Sequence, residues 1–99
     1  MLAEDAVFDI DEIWAYLLEK EGAETADRVL AALFRGLHKL ADNPAIGHRR
    51  TDLTDRNVLF YRVHSWLIIY QPQPGKPLPV LAVLHAKRNV ARLLQKRLM

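Results

Sequence analysis

The spacing of apolar residues changes near residue 56, and this change constrains the fold more than any other feature of the chain. Between residues 4 and 41 apolar side chains recur every three or four positions, the repeat of an amphipathic α-helix. After residue 56 they come in short β-branched and aromatic runs, such as WLIIY at 66–70, which favour strands. We therefore predict helices in the first half and strands in the second, an α+β fold.

The first half predicts two helices, over residues 4–20 and 24–41. Gly22 suits the end of the first helix, and Asn43-Pro44 stops the second. The linker is so short that the helices must form an antiparallel hairpin. Gly36 weakens the second helix locally, and we interpret it as a point of close packing. The apolar stripes are Val7, Ile10, Ile13, Trp14, Leu17 and Leu18, and then Ala26, Val29, Leu30, Leu33, Phe34, Leu37 and Leu40.

The second half predicts three strands, over residues 57–63, 66–71 and 80–85. No helical or strand period is sustained over 43–55, which we expect to be a loop. Residues 71–79 hold four prolines and one glycine, so they form a second loop. The short connections favour antiparallel neighbours.

A basic helix is predicted at the end of the chain, over 89–97, with its apolar residues on one side. His64-Ser65 is the expected turn between the first two strands. The sequence thus predicts one domain, residues 1–99. Its N-terminal antiparallel helical hairpin packs on a small antiparallel β-sheet of three to four strands, with a short C-terminal basic helix.

Composition argues against several functional classes. The chain has no cysteine, so disulfides and thiolate metal ligands are excluded and a reducing cytoplasm is the simplest compartment. Five acidic residues among the first twelve argue against a secretory signal, and the longest apolar run is far below the roughly 20 residues that span a bilayer. We expect no membrane partner and no cofactor. We also expect no metal site, because no metal-ligand spacing joins the four histidines: His38, His48, His64 and His85.

Charge is distributed unevenly along the chain. Residues 1–47 hold ten acidic and four basic residues, a net charge of −6, whereas residues 48–99 hold two acidic and ten basic residues, a net charge of +8. One interpretation is a basic face that meets phosphate or an acidic protein. The other is that acidic helices and basic strands attract each other within the fold. The sequence leaves both open.

The order of these segments resembles the ParE/RelE superfamily of bacterial toxins. Residues 3–50 resemble the helical hairpin and following loop of ParE-type toxins, WLIIY resembles the central strand, and VLAVLHAKRNVARLL resembles the last strand and tail. His85 and Arg88 match a His-x-x-Arg element there. The matching residues of the first segment are Asp9, Ile10, Ile13, Tyr16, Ala26, Leu33, Leu37, Leu40, Ala41, Pro44 and Gly47.

The amino terminus departs from this pattern. Members of the superfamily usually open with a strand, but here only Met1, Leu2 and Ala3 precede the predicted helix. Either that strand is reduced to a stub or the start lies upstream. A missing strand would expose a sheet edge, which is prone to aggregation and is a site that a partner's strand can join.

The resemblance implies a toxin of a type II toxin–antitoxin system, neutralised by a cognate antitoxin, which we expect to be ParD-like. ParE-type members poison DNA gyrase, and RelE-type members cut messenger RNA on the ribosome. The ParE branch is favoured because the strand-rich half offers no clear partner acid or base for His85 and because the C-terminal tyrosine of several RNases is absent. The alternative is a RelE-like, ribosome-dependent mRNA endonuclease.

Candidate site residues follow from these two activities. As an RNase, the chain would use His85 for proton transfer and Arg88 and Arg56 to hold phosphate. The residues themselves favour a His85 that is bonded to a nearby carbonyl at the strand end, and Arg56 could equally hold the acids at the helix ends. Tyr61, Tyr70 and Trp14 are better explained as core residues than as stacking platforms. As a gyrase poison, the chain would bind its target and antitoxin through cations that could also be a solvated face: Arg49, Arg50, Arg62, Lys87, Arg88, Arg92, Lys96 and Arg97.

Overall fold

The computed structural model describes residues 3–73 and 78–98, in three helices, a 3₁₀ turn and three strands. The order agrees with the predicted α+β arrangement, and most boundaries lie within one or two residues of the predicted ones. Part of the predicted 71–79 loop, residues 74–77, lies outside the described residues. The elements are α1 (Glu4–Glu21), α2 (Ala23–Asp42), the 3₁₀ turn (Pro44–Ile46), β1 (Leu59–Val63), β2 (Trp66–Tyr70), β3 (Val80–His85) and α3 (Val90–Arg97).

A single residue, Gly22, separates α1 from α2. Its φ of 94° lies in the left-handed region that side chains disfavour, and its N–H donates to the carbonyl of Leu17 at 3.0 Å. This conformation reverses the chain within one residue. It therefore produces the predicted antiparallel hairpin.

The three strands form one antiparallel sheet in the order β1-β2-β3. Val63 faces Trp66 across the predicted His64-Ser65 turn, where His64 adopts a φ of 53°. Trp66 in turn faces His85, so the aromatic start of β2 lies beside the end of β3. This register brings His85 to one corner of the sheet.

Each face of the sheet is covered by helix. The hairpin packs on one face, around Ile10, Ile13, Leu33 and Ile68. At Gly36 an added Cβ would lie 2.8 Å from Cγ2 of Val63, so the glycine lets α2 approach β1, as predicted. The opposite face packs against α3 and the loop before β1, through Val58, Phe60, Leu67, Ile69, Ala82, Leu84, Val90 and Leu94.

The β3 edge, which a missing first strand would leave exposed, has partners for several of its backbone atoms. The carbonyl of Val80 accepts the N–H of Ala3 at 3.0 Å, and the N–H of Val83 donates to the Asp9 carboxylate at 2.9 Å. The carbonyl of Leu81 accepts Nη1 of Arg97 at 3.3 Å. Side chains of two helices thus occupy the positions that a further strand would need, because α1 lies along this edge.

On the other edge, His48 and Phe60 exchange both backbone hydrogen bonds, so the loop after α2 covers β1. Tyr70 holds that loop through two hydrogen bonds. Its hydroxyl donates to the carbonyl of Pro44 at 2.7 Å and accepts the N–H of Gly47 at 2.9 Å. The tyrosine is fully buried, in agreement with its predicted core role. Throughout 3–73 and 78–98, no helix is both long and apolar enough to cross a bilayer.

Candidate functional site

An ion pair around the β3 edge joins the two helical layers. Both oxygens of Asp9 accept hydrogen bonds from the guanidinium of Arg97, at 2.6 Å from Nη2 and 2.6 Å from Nη1. Asp9 is only 7% exposed, and 22% of the Arg97 side chain is exposed. Hydrogen bonding to Asp9 raises the pKa of Arg97 above its ordinary value. The pair fastens the end of α3 to α1.

This geometry gives Arg97 a role inside the fold. It was predicted as a contact to a target or partner, but its guanidinium already binds Asp9 and the carbonyl of Leu81. Two guanidinium nitrogens bind the two carboxylate oxygens of Asp9, and this bidentate arrangement is the strongest form of such a pair. Arg97 is therefore not part of the exposed basic surface described below.

A depression of about 390 Å³ opens beside the end of β3. We call it the His85 depression; its lining comprises Asp9, Glu12, Ile13, Tyr16, Trp66, Val83, Leu84, His85 and Arg88. The rings of His85 and Trp66 meet edge to face, with centroids 4.8 Å apart. Nδ1 of His85 accepts the N–H of Lys87 at 3.1 Å, which in the neutral ring places the proton on Nε2. The depression thus combines apolar walls, an imidazole and both signs of charge.

Two members of this depression were missed by sequence reasoning. Glu12 and Tyr16 lie on α1, about seventy positions before His85, and only the packing of α1 along β3 brings them there. The sequence did carry a signal. With Asp5 and Asp9 they form a polar stripe at helical spacing, beside the apolar stripe that faces the core. Polar residues in such a stripe lie where a helix borders a neighbouring element.

Arg56 lies elsewhere. It lines a second depression, of about 740 Å³, between the loop before β1 and the exposed side of α3. We call it the Arg56 depression; its lining comprises Leu53, Thr54, Asp55, Arg56, Asn89, Ala91, Arg92, Gln95 and Leu98. The sequence grouped Arg56 with His85 and Arg88 for phosphate chemistry. In the structure Arg88 shares a depression with His85, and Arg56 shares one with Arg92.

The remaining predicted cations differ in whether their side chains have a partner within the fold. Arg50 binds Asp52 at 2.8 Å, and this hydrogen bond raises the pKa of Arg50 and lowers that of the exposed Asp52. Nε of Arg62 donates to the carbonyl of His64 at 2.7 Å. Arg49 is exposed in the loop before β1. The predicted cations after β3 are exposed, and apart from Arg97 their side chains form no ion pair or hydrogen bond with the described residues: Lys87, Arg88, Arg92 and Lys96.

These contacts show how much of the charge asymmetry is used within the fold. Four residue pairs form ion pairs within 3–73 and 78–98, and only two of them join the acidic half to the basic half. Both use Arg97, with Asp9 and, at 4.0 Å, Asp5. Internal attraction therefore occupies one cation, and most of the others face solvent. In the same residues no cluster of three or more potential metal ligands occurs.

Known proteins resemble this chain over nearly its whole length. The family described as "ParE toxin of type II toxin-antitoxin system, parDE" matches residues 1–90. Toxin ParE3 of Caulobacter vibrioides is 26% identical over 89 residues, which cover 90% of this chain and 87% of that protein. A solved chain described as "Chromosomal ParDE TA system from P. aeruginosa" shares the fold, with a TM-score of 0.73 at 16% identity, over 87% of this chain and 92% of that chain. The chain therefore belongs to the ParE family, the toxins of type II toxin–antitoxin systems.

Proposed function

We propose that this toxin inhibits DNA gyrase and that a cognate, ParD-like antitoxin neutralises it. The observation that carries the proposal is the separation of Arg56 from His85 and Arg88. Cleavage of RNA needs acid, base and charge stabilisation around one phosphate. The residues predicted for that task line two different depressions, which favours a binding surface over one catalytic set.

Inhibition of a large protein target requires a surface instead. Unpaired positive charge in the turn after β3 and on α3 forms what we call the α3 basic surface: Lys87, Arg88, Arg92 and Lys96. Such a surface steers association with an acidic or nucleic-acid-bearing partner. An acidic antitoxin segment would cover the same charges, which provides a simple route to neutralisation.

Gyrase inhibition is tested by supercoiling of relaxed plasmid with purified gyrase and purified toxin. We expect the wild-type chain to inhibit, and we expect a triple variant, Arg88→Gln, Arg92→Gln and Lys96→Gln, to inhibit less. The matched control removes three charges from α2, by Arg28→Gln, Arg35→Gln and Lys39→Gln. Inhibition that falls equally in both variants would contradict a role for the α3 basic surface.

The second candidate is a ribosome-dependent mRNA endonuclease, and one observation favours it. Glu12 and Tyr16 join His85 and Arg88 at a single depression, which supplies the partner acid that the strand-rich half lacks. Cleavage of ribosome-bound message is therefore measured beside supercoiling. A general acid or base contributes roughly 10²–10⁴-fold in rate, so a folded His85→Ala protein would lose cleavage steeply.

The two outcomes exclude each other. If the toxin cuts message, His85→Ala abolishes cutting, and gyrase is unaffected, the endonuclease is right and gyrase inhibition is wrong. If gyrase is inhibited by both wild type and His85→Ala while message stays intact, the proposal stands.

A further inference from the structure

The Arg56 depression joins one member of the α3 basic surface to residues that the proposed function does not use. Two arginines from separate elements face it, Arg56 from the loop before β1 and Arg92 from α3. Both are exposed, and neither side chain has an ion-pair or hydrogen-bond partner among residues 3–73 and 78–98. The acidic member is Asp55, on the same lining. Two free guanidinium groups around one concave surface favour an anion that spans both.

The neutral polar side chains of the lining keep hydrogen-bond donors available for a ligand. Oγ1 of Thr54 accepts the N–H of Arg56 at 3.1 Å, and Oδ1 of Asn89 accepts the N–H of Arg92 at 3.2 Å. Their acceptor atoms are therefore engaged, while the Thr54 hydroxyl hydrogen and the Asn89 amide NH₂ stay free to donate. Gln95 adds another amide on the same side of α3.

This set of side chains is the one that contacts nucleic-acid phosphates. Arginine, threonine, asparagine and glutamine are among the main donors of hydrogen bonds to phosphodiester oxygens in protein–DNA complexes. A protein partner, in contrast, usually inserts an apolar or aromatic side chain into a central pocket. The His85 depression, with Trp66 and Tyr16, offers that kind of wall. The lining of the Arg56 depression is mostly polar and charged.

Duplex DNA fits better than a single strand. Proteins that bind single-stranded nucleic acid stack bases on aromatic side chains. The described residues that line the Arg56 depression include no aromatic side chain. A duplex presents its phosphates on the outside, where donors reach them without base contacts. We infer that the Arg56 depression binds the phosphodiester backbone of duplex DNA through Arg56 and Arg92.

The inference goes beyond gyrase inhibition, since it concerns DNA that the toxin touches directly. Gyrase acts on a DNA segment, so a toxin bound to gyrase would have a duplex within reach of Arg56 and Arg92. The binding itself needs no gyrase. It can therefore be measured with the toxin and DNA alone.

The test is fluorescence anisotropy of a labelled duplex of about two helical turns, titrated with the purified chain at several salt concentrations. Each phosphate contact contributes about −0.9 to the slope of log K against log salt. We expect the double variant Arg56→Gln, Arg92→Gln to bind more weakly and to reduce that slope by about two. Asp55→Asn should bind more tightly, because it removes the carboxylate that repels phosphate.

The matched control is Arg35→Gln, Lys39→Gln, which removes the same charge from the exposed side of α2. It should leave the slope unchanged, and circular dichroism should give equal folding for all variants. An equal loss of affinity in the control would overturn the inference, as would the absence of duplex binding by the wild type at low salt.

Two further ligands separate the alternatives. If a poly-glutamate peptide binds through Arg56 and Arg92 and the duplex does not, the depression receives an acidic protein segment and the inference is wrong. If single-stranded RNA binds more tightly than the duplex with the same arginine dependence, the assignment to duplex DNA is wrong. Duplex binding through these arginines supports the inference even if supercoiling is not inhibited, so its failure is distinguishable from failure of the proposed gyrase target.

Discussion

At the scale of single residues, Tyr70 and Gly47 depend on each other. The hydroxyl of Tyr70 bridges Gly47 and Pro44 at the start of the loop that follows α2. A Cβ at position 47 would overlap that hydroxyl oxygen. Gly47 has an ordinary φ of −73°, which any residue can adopt. Larger residues are therefore excluded by the lack of space for a Cβ and not by the backbone conformation.

Gly47→Ala should lower the free energy of unfolding by about 1–3 kcal/mol, because the methyl group must displace Tyr70 or the loop. Urea denaturation measures the change. On a Tyr70→Phe background the same substitution should be less harmful, since the hydroxyl oxygen that meets the methyl group is gone and only the ring carbons Cε1 and Cζ, at 2.9 Å, remain in the way. Additive effects in the double variant would show that the clash lies elsewhere.

Tyr70→Phe should itself lower the free energy of unfolding by about 1–3 kcal/mol near neutral pH, because the Gly47 N–H and the Pro44 carbonyl lose their partner. Burial raises the pKa of Tyr70 above its ordinary value of 10.0, and the hydrogen bond from Gly47 acts in the opposite direction. The raised pKa means that this stabilisation is complete below pH 10 and is lost as pH rises through the folded-state pKa.

The difference in unfolding free energy between wild type and Tyr70→Phe should therefore be constant from about pH 7 to 9 and shrink above about pH 10. Urea titrations at each pH measure it. The phenolate explains the loss, because it cannot donate to the Pro44 carbonyl. A difference that persists unchanged into alkali would contradict the dependence of this stabilisation on the protonated hydroxyl of Tyr70.

At the scale of elements, α3 depends on one ion pair as well as on its apolar side. Val90 and Leu94 pack it on the sheet, and Arg97 fastens its end to Asp9 on α1. Removal of one member of a buried pair is more harmful than replacement of both, because the remaining charge stays buried without compensation. The position of α3 therefore depends on a residue near the opposite end of the chain.

Asp9→Asn should lower the free energy of unfolding by about 3 kcal/mol and speed amide exchange in α3 more than in α2. Hydrogen exchange followed by mass spectrometry measures both helices. Asp5→Asn is the matched control, because the Asp5 side chain is 70% exposed and lies 4.0 Å from Arg97, so its loss should have little effect. The double variant Asp9→Leu, Arg97→Met should recover part of the stability, because it removes the uncompensated charge but leaves the N–H of Val83 without its acceptor. Equal effects of Asp5→Asn and Asp9→Asn would contradict this account of α3.

At the scale of the whole molecule, the uneven charge of the sequence becomes an exposed basic surface. The acidic helices lie over one face of the sheet, and α3 lies on the other with most of its cations in solvent. Among the described residues, Arg97 is the only cation of the basic half that forms ion pairs with the acidic half. Exposed charge of this kind is screened by salt within a Debye length of about 8 Å at physiological ionic strength.

Binding of the cognate antitoxin should therefore weaken as salt rises, and the triple variant Arg88→Gln, Arg92→Gln, Lys96→Gln should show a weaker dependence on salt than the wild type. Titration calorimetry of the purified chain with its antitoxin measures both. The α2 variant Arg28→Gln, Arg35→Gln, Lys39→Gln should behave like the wild type. Affinity that does not change with salt would show that apolar contacts alone hold the complex.

Local structure was predictable from the sequence because it depends on neighbours along the chain. The helical repeat, Gly22 between the helices, the His64-Ser65 turn and the apolar runs each act within a few residues, and each prediction is confirmed. The close packing at Gly36 is confirmed as well, because a glycine inside a helix costs stability and close approach of another element offsets that cost. The uneven distribution of charge between the two halves was equally visible in the sequence. Which of those charges would face solvent was not.

Only the tertiary structure decided which distant residues meet. Asp9 and Arg97 are 88 positions apart, and they pair because α1 and α3 cover opposite faces of the sheet and reach the same edge. The same packing places Glu12 and His85 on one depression and places Arg56 and Arg88 on different ones. No repeat or spacing encodes these contacts, because they depend on the order and orientation of layers whose cohesion is mostly non-directional apolar burial. The sequence determined the elements and the supply of charge, and the packing of the layers determined which charges are paired and which face a partner.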